Sequence, residues 1–133
     1  HRQFGFCAAR PWGAFAAVLL WNPRDECDDI KLETASLEIY GNKFYVWSFW
    51  DEKFMGIVDY GFTARKLAPH GSILLRLTSM PVIDDLPVLI GSNLHISMGA
   101  AEIDDIATLS SSITVRLNDS GACDGNLYIY SQK

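Results

Sequence analysis

Acidic pairs punctuate the chain, among them Asp28–Asp29, Asp51–Glu52, Asp84–Asp85 and Asp104–Asp105. Two carboxyls held about 5–10 Å apart across one glycosidic bond are the machinery of sugar hydrolysis. Neighbours in sequence do not supply that geometry, and each pair falls at an expected turn or strand end, so each reads as solvated turn acids. His70 in "PHG" and His95 in "NLHIS" carry imidazoles that could serve as bases or ligands. Neither is accompanied by a GxSxG nucleophile elbow, an HExxH pair or a partnered Cys–His spacing. They read as a turn histidine and a strand histidine. Cys7, Cys27 and Cys123 match no zinc spacing and are too few for a disulfide framework. They read as buried free thiols, with a Cys7–Cys27 bridge open in an oxidising compartment. "NDSGACDGN", residues 118–126, sets Asp119 and Asp124 among glycines as a calcium loop would. The EF-hand spacing and its distal bidentate Glu are missing, so a hairpin connection accounts for the segment. Asn118-Asp119-Ser120 is formally a glycosylation sequon. These residues supply no catalytic group, no metal site and no cofactor.

Aromatic chemistry is the feature left over. "FYVWSFW", residues 44–50, alternates along a strand: Tyr45, Trp47 and Phe49 point one way, and Phe44, Val46, Ser48 and Trp50 the other. In a two-layer sandwich only one face of a strand meets the core. The other set then needs a cover, which could be a loop of the same chain, another domain or a sugar. Sugars stack on exposed Trp and Tyr, and large apolar patches also mark protein interfaces. Most aromatic strand residues are packing, which favours intramolecular or interdomain cover over a ligand. The contact candidates are Trp50 and Phe44, with Tyr128 and Tyr130 of "NLYIYS".

The elements that would position these residues are strands. Turn chemistry recurs at short intervals ("WNPRDE", "YGNK", "DYG", "APHG", "GSN", "NDSG", "CDGN"), and the segments between are short and rich in β-branched and aromatic residues. "SILLRLT" sets Ile73, Leu75 and Leu77 against Leu74 and Arg76; "SITVRLN" sets Ile113, Val115 and Leu117 against Thr114 and Arg116. "NLYIYS" opposes Leu127 and Ile129 to Tyr128 and Tyr130. Gly41 and Asn42 tolerate positive φ and suit a hairpin between 37–40 and 44–50. "VIDDL" between Pro81 and Pro87 reads as an irregular crossover. "AAEIDDIATL" fits either one short helical turn or a strand with an acidic bulge. The expected fold is all-β, a two-layer antiparallel sandwich of about eight to ten strands, Greek-key in type, with no substantial helix.

Composition agrees with this. At 133 residues the chain fits a single domain spanning 1–133. A net charge of −5 without a basic stripe gives counterion-release binding to nucleic acid little to work with. The longest apolar run, Ala14 to Trp21, falls short of the ~20 residues a membrane helix needs. It lacks the cleavage site of a signal peptide, so no membrane partner is expected and the run reads as a buried strand. The compartment stays open. His1 in place of methionine points to an excised or processed piece.

From about Phe15 onward, consecutive segments resemble one family. "AVLLWNPRDE", "KFYVWSFWDEKFMGIV", "LAPHGSILLRLT" and "PVLIGSNLHISMGAAEI" are similar, in this order, to the C-terminal β-sandwich of α-galactosidase-like (melibiase-type) glycoside hydrolases. The likeness spans roughly residues 15 to 110. "PHG…LLRLT" followed by "IGSNLHISMGA" is its most specific part. The family commonly has Asp where this chain has Ser48. In such enzymes a (β/α)₈ barrel comes first and carries both catalytic aspartates, which perform retaining hydrolysis of α-galactosides or related sugars. Those aspartate motifs have no counterpart here. The resemblance therefore implies a non-catalytic accessory domain from the C-terminal end of such an enzyme, packed on and stabilising the barrel of the same polypeptide. The alternative is a carbohydrate-binding module working through exposed aromatics.

Overall fold

The computed structural model describes residues 2–81, 86–118 and 124–132. Eleven strands occupy them: β1 (Gln3–Arg10), β2 (Gly13–Trp21), β3 (Asp28–Glu33), β4 (Phe44–Ser48), β5 (Lys53–Val58), β6 (Gly61–Leu67), β7 (Ser72–Ser79), β8 (Val88–Ser92), β9 (Ile103–Leu109), β10 (Ser112–Leu117) and β11 (Leu127–Tyr130). A single 3-10 turn, Thr34–Ser36, is the helical content of the described residues. No helix among them is long and apolar enough to cross a membrane.

A five-stranded antiparallel sheet in the order β1-β2-β7-β4-β5 forms the centre, with three two-stranded ribbons, β3–β6, β8–β11 and β9–β10. The interior strands explain the densest apolar runs. A strand covered on both faces has no polar side to show and reads as continuous hydrophobicity; all five residues of β4 are buried. Alternation divides the interior residues between two cores. Ala16, Val18, Leu20, Phe44, Val46, Leu75 and Leu77 pack with Ile30, Leu32 and Ala64 of β3–β6. Their neighbours Ala17, Tyr45, Trp47 and Leu74 pack instead with Ile90 and Met98, bordered by Val88, Tyr128 and Tyr130.

The all-β antiparallel sandwich is as expected, with one strand more than the upper count and a further layer. The second face of β4, which alternation left in need of a cover, is covered by β8 and β11 of the same chain. Two local expectations differ. Residues 37–40 are not the partner arm of a hairpin: β4 bonds to β5 and β7, while Leu37 and Ile39 lend only side chains to the core. Cys7 is half-buried and Cys27 exposed, and both are free thiols. The 103–109 segment takes the strand option. The crossover at 82–85, with Asp84 and Asp85, and the loop residues Asp119, Ser120 and Cys123 lie outside the described residues.

Candidate functional site

The β4–β5 turn carries the sequence's exposed-aromatic candidate. Trp50 is 54% exposed at its tip. Two residues on, Glu52 adopts a left-handed conformation (φ 48°) and aims its carboxylate at β11. Its Oε1 accepts hydrogen bonds from the Tyr128 hydroxyl (3.0 Å) and from Asn93 Nδ2 (2.8 Å). Asn93 Oδ1 in turn accepts from the Asn126 amide. Partial burial and, next, the Glu52 hydrogen bond hold the Tyr128 phenol above its ordinary pKa.

Beneath this polar rim the rings are layered. Tyr128 stacks on Trp47 with centroids 4.2 Å apart, Tyr130 tilts on Tyr45 at 4.7 Å, and Phe54 flanks Tyr130 at 5.6 Å. Gly91 permits the close approach of β8, since a Cβ there would sit about 2.5 Å from the Trp47 ring. The indole Nε1 of Trp47 is buried, with no hydrogen-bond partner among the described residues. Tyr128 and Tyr130, with the tyrosine side of β11 turned inward, are thus brought together over β4, and Trp50 stands at the adjoining turn. Phe44 is not part of this surface. At 2% exposure it faces the opposite core, against β3–β6, because its place in the alternation is opposite to that of Tyr45. It has no face to offer a partner.

The other sequence candidates are dispersed. Asp28 pairs with Arg2 (3.1 Å) and Arg24 (3.7 Å), and Asp29 with Arg65 (3.8 Å). Asp51 accepts from the buried Ser48 hydroxyl (3.0 Å), and Asp104 from Asn118 (3.0 Å). His70 meets Asp25 at 2.8 Å on the surface, and His95 Nδ1 meets the Ser97 hydroxyl at 2.8 Å. Among the described residues, no three His, Cys, Asp or Glu side chains gather as a metal would require.

Sequence reasoning missed a buried polar cluster. Arg76 of β7 is 2% exposed. Its guanidinium donates to Thr78 Oγ1 (2.8 Å), to the Leu89 carbonyl (3.0 Å) and to the Met98 carbonyl, and lies 3.9 Å over the Phe15 ring. Burial lowers its pKa to about 9, with the charge of Glu102 pulling the other way, so it is cationic at neutral pH. Glu102, also buried, accepts from Ser92 Oγ (3.0 Å), Ser97 Oγ (3.2 Å) and the Gly99 amide (2.7 Å). Together these bonds fasten the 92–102 loop onto the central sheet. The available signal was Arg76 itself, a lone cation inside "LLRLT" in a strand apolar on both sides. An apolar groove of about 340 Å³ opens beside Arg76, with Trp12, Met80, Val88, Ile106 and Ile113 among its walls.

No family model matches the chain, and no curated protein does. Among solved structures it is similar to a GH27 β-L-arabinopyranosidase from Geobacillus stearothermophilus in complex with arabinose, at 20% identity and a TM-score of 0.49, over 62% of this chain and 18% of that one. It is similar also to α-galactosidase I from Mortierella vinacea, at 19% identity and a TM-score of 0.47, over 59% of this chain and 22% of that one. The chain spans about a fifth of the length of these structures.

Proposed function

We propose that this chain is a non-catalytic accessory β-sandwich domain of an α-galactosidase-like glycoside hydrolase, packing on and stabilising a (β/α)₈ catalytic barrel. The observation that carries the reading is where the family-like segments spend their polar groups. Arg76 of "LLRLT" and Ser92, Ser97 and Glu102 of "IGSNLHISMGAAE" are buried and bonded inside the domain. Polar groups buried and bonded in this way hold a loop on a sheet and are not presented to a substrate. The most specific motifs of the chain therefore serve its architecture. The dispersed carboxylates are consistent with this, since retaining hydrolysis needs two of them facing one bond.

A second reading has its own observation. Trp50 is exposed next to the rim of Glu52, Asn93 and Tyr128, and an exposed ring beside polar groups is what stacks on a sugar. This would be a carbohydrate-binding module. The purified chain separates the two. The accessory reading expects no turnover of a chromogenic α-galactoside and no change in Trp fluorescence on titration with galactosides or galactomannan. Saturable quenching that is lost in Trp50→Ala would replace it with the binding reading, and turnover by this chain alone would refute both.

A further inference from the structure

We propose that the outer edge of β1 is a self-association site, at which a second copy of this chain adds its own β1 antiparallel and continues the central sheet across a two-fold axis. β1 is an edge strand of that sheet, and its pairing with β2 runs without a bulge from Gln3–Leu20 to Arg10–Gly13. At one end Pro11 and Trp12 make a two-residue turn, and at the other the Trp21 amide donates to the Arg2 carbonyl (2.8 Å). Bonded and non-bonded pairs alternate along an antiparallel ladder. Arg2, Phe4, Phe6, Ala8 and Arg10 therefore direct their N–H and C=O groups to β2, and Gln3, Gly5, Cys7 and Ala9 direct theirs outward. Among the described residues no backbone hydrogen bond reaches those outward groups. The nearby 36–38 segment meets side chains only: Gln3 Nε2 donates to Ser36 Oγ, and the Glu38 amide to Cys7 Sγ.

Edge strands are ordinarily guarded by short length, lysine, proline or a bulge. β1 has eight residues and none of these guards, and it exposes Phe4 (48%) and Phe6 (45%). The opposite edge, β5, is guarded: it begins at exposed Lys53, pairs with β4 through a bulge, and passes through Gly56 at φ 110°. A row of unpaired, extended backbone groups selects another extended strand as its occupant.

A second copy of β1 can fill this edge in a self-complementary register, and charge discriminates among the registers. Outward-facing residues must be the bonded pairs of the new ladder, so one allowed register places Gly5 on the two-fold, opposite the partner's Gly5. Gln3 then faces the partner's Cys7. Phe4 faces the partner's Phe6 in a non-bonded pair, the kind that brings side chains closest, and Arg10 falls beyond the ladder. The next register, centred on Phe6, would set Arg2 against the partner's Arg10, a like-charge pair that disfavours it. The same patch meeting itself in this way is the usual form of a closed dimer. β1 lies outside the stretch that carries the family resemblance, so this inference does not depend on the proposed function.

Sedimentation of the purified chain up to about 100 μM, which covers a micromolar Kd, should show a monomer–dimer equilibrium. Phe6→Lys adds an edge charge, and Gln3→Pro removes an outward donor without touching a β1–β2 bond. Each should weaken the dimer by roughly tenfold or more while circular dichroism, and Tm taken at a concentration where wild type is monomeric, stay at wild-type values. Phe4→Cys/Phe6→Cys should form an interchain disulfide between positions 4 and 6, read by peptide mass spectrometry. Monomer throughout the concentration series, or association that survives both Phe6→Lys and Gln3→Pro, would overturn the proposal. A 6–6 disulfide formed by Phe6→Cys alone would overturn the register.

Discussion

Replacing Arg76 by methionine tests the claim that a buried cation holds the 92–102 loop to the sheet. Methionine fills much of the same space but donates nothing. The Leu89 and Met98 carbonyls lose their donor, at about 1–3 kcal/mol for each buried group left unmatched. The contact with the Phe15 ring at 3.9 Å contributes about 1–2 kcal/mol when desolvated. Removing a buried charge also returns its desolvation penalty, and Glu102, left without a nearby cation, takes part of that back. Measured losses for removing one member of a buried charge network are about 3–5 kcal/mol, and the same range is expected here. That is a large share of the ~5–15 kcal/mol of a typical domain. Urea unfolding followed by Trp fluorescence would register it as a midpoint lower by about 2 M, given slopes of about 1–3 kcal/mol/M. Arg76→Met/Glu102→Leu should lose less than the two single variants summed, by about 1–2 kcal/mol. A midpoint for Arg76→Met within about 0.5 M of wild type would refute the reasoning and make Arg76 a passenger in the core.

Gly91→Ala should cost about 1–3 kcal/mol as overpacking and shift the Trp emission maximum, because its Cβ meets the Trp47 ring; an unchanged spectrum and midpoint would contradict the close packing of β8 on β4. Asn22 is buried, and its Nδ2 donates to the carbonyls of Glu26, Leu67 and Ala68 while its Oδ1 accepts from the Arg24 amide; Asn22→Ala should lower stability by about 2–4 kcal/mol in the same urea assay. Tyr128 has a raised pKa in the folded chain, so the folded state holds its phenolic proton longer than the unfolded state. Its contribution is complete below the ordinary tyrosine value and is lost as pH rises through the folded value. Stability should therefore fall less steeply above about pH 10 in Tyr128→Phe than in wild type, and parallel pH profiles would exclude this linkage.

Much of the fold is legible in residue types. The turn residues at Asn22–Arg24 and Pro69–Gly71 stand between strands, whereas Gly91 and Ser92 of the expected "GSN" turn belong to β8; the alternation of Ile113 and Val115 with Thr114 and Arg116 matches half-buried and exposed positions. The 37–40 segment misled because its apolar residues pack as side chains, and hydrophobicity alone does not distinguish a core contact made by a strand from one made by a loop. The contact candidates are placed by the fold in different surroundings. Trp50 is exposed and Tyr128 and Tyr130 meet over β4, but Phe44 is interior, and Glu52 and Asn93 drew no notice as partners of Tyr128.

Sequence by itself determined the all-β class, the strand alternation and the presence of aromatics on both faces of β4, because each of these follows from the period of two in an extended chain. What lies over each face was decided only in the folded chain. β8 and β11 are some 40 to 80 residues from β4 in sequence, and nothing in local periodicity states which distant ribbon will bury which side. The same holds for Arg76 and Glu102, 26 residues apart (102 minus 76). A charge in a strand reads as a surface residue until the tertiary structure brings the carbonyls that satisfy it.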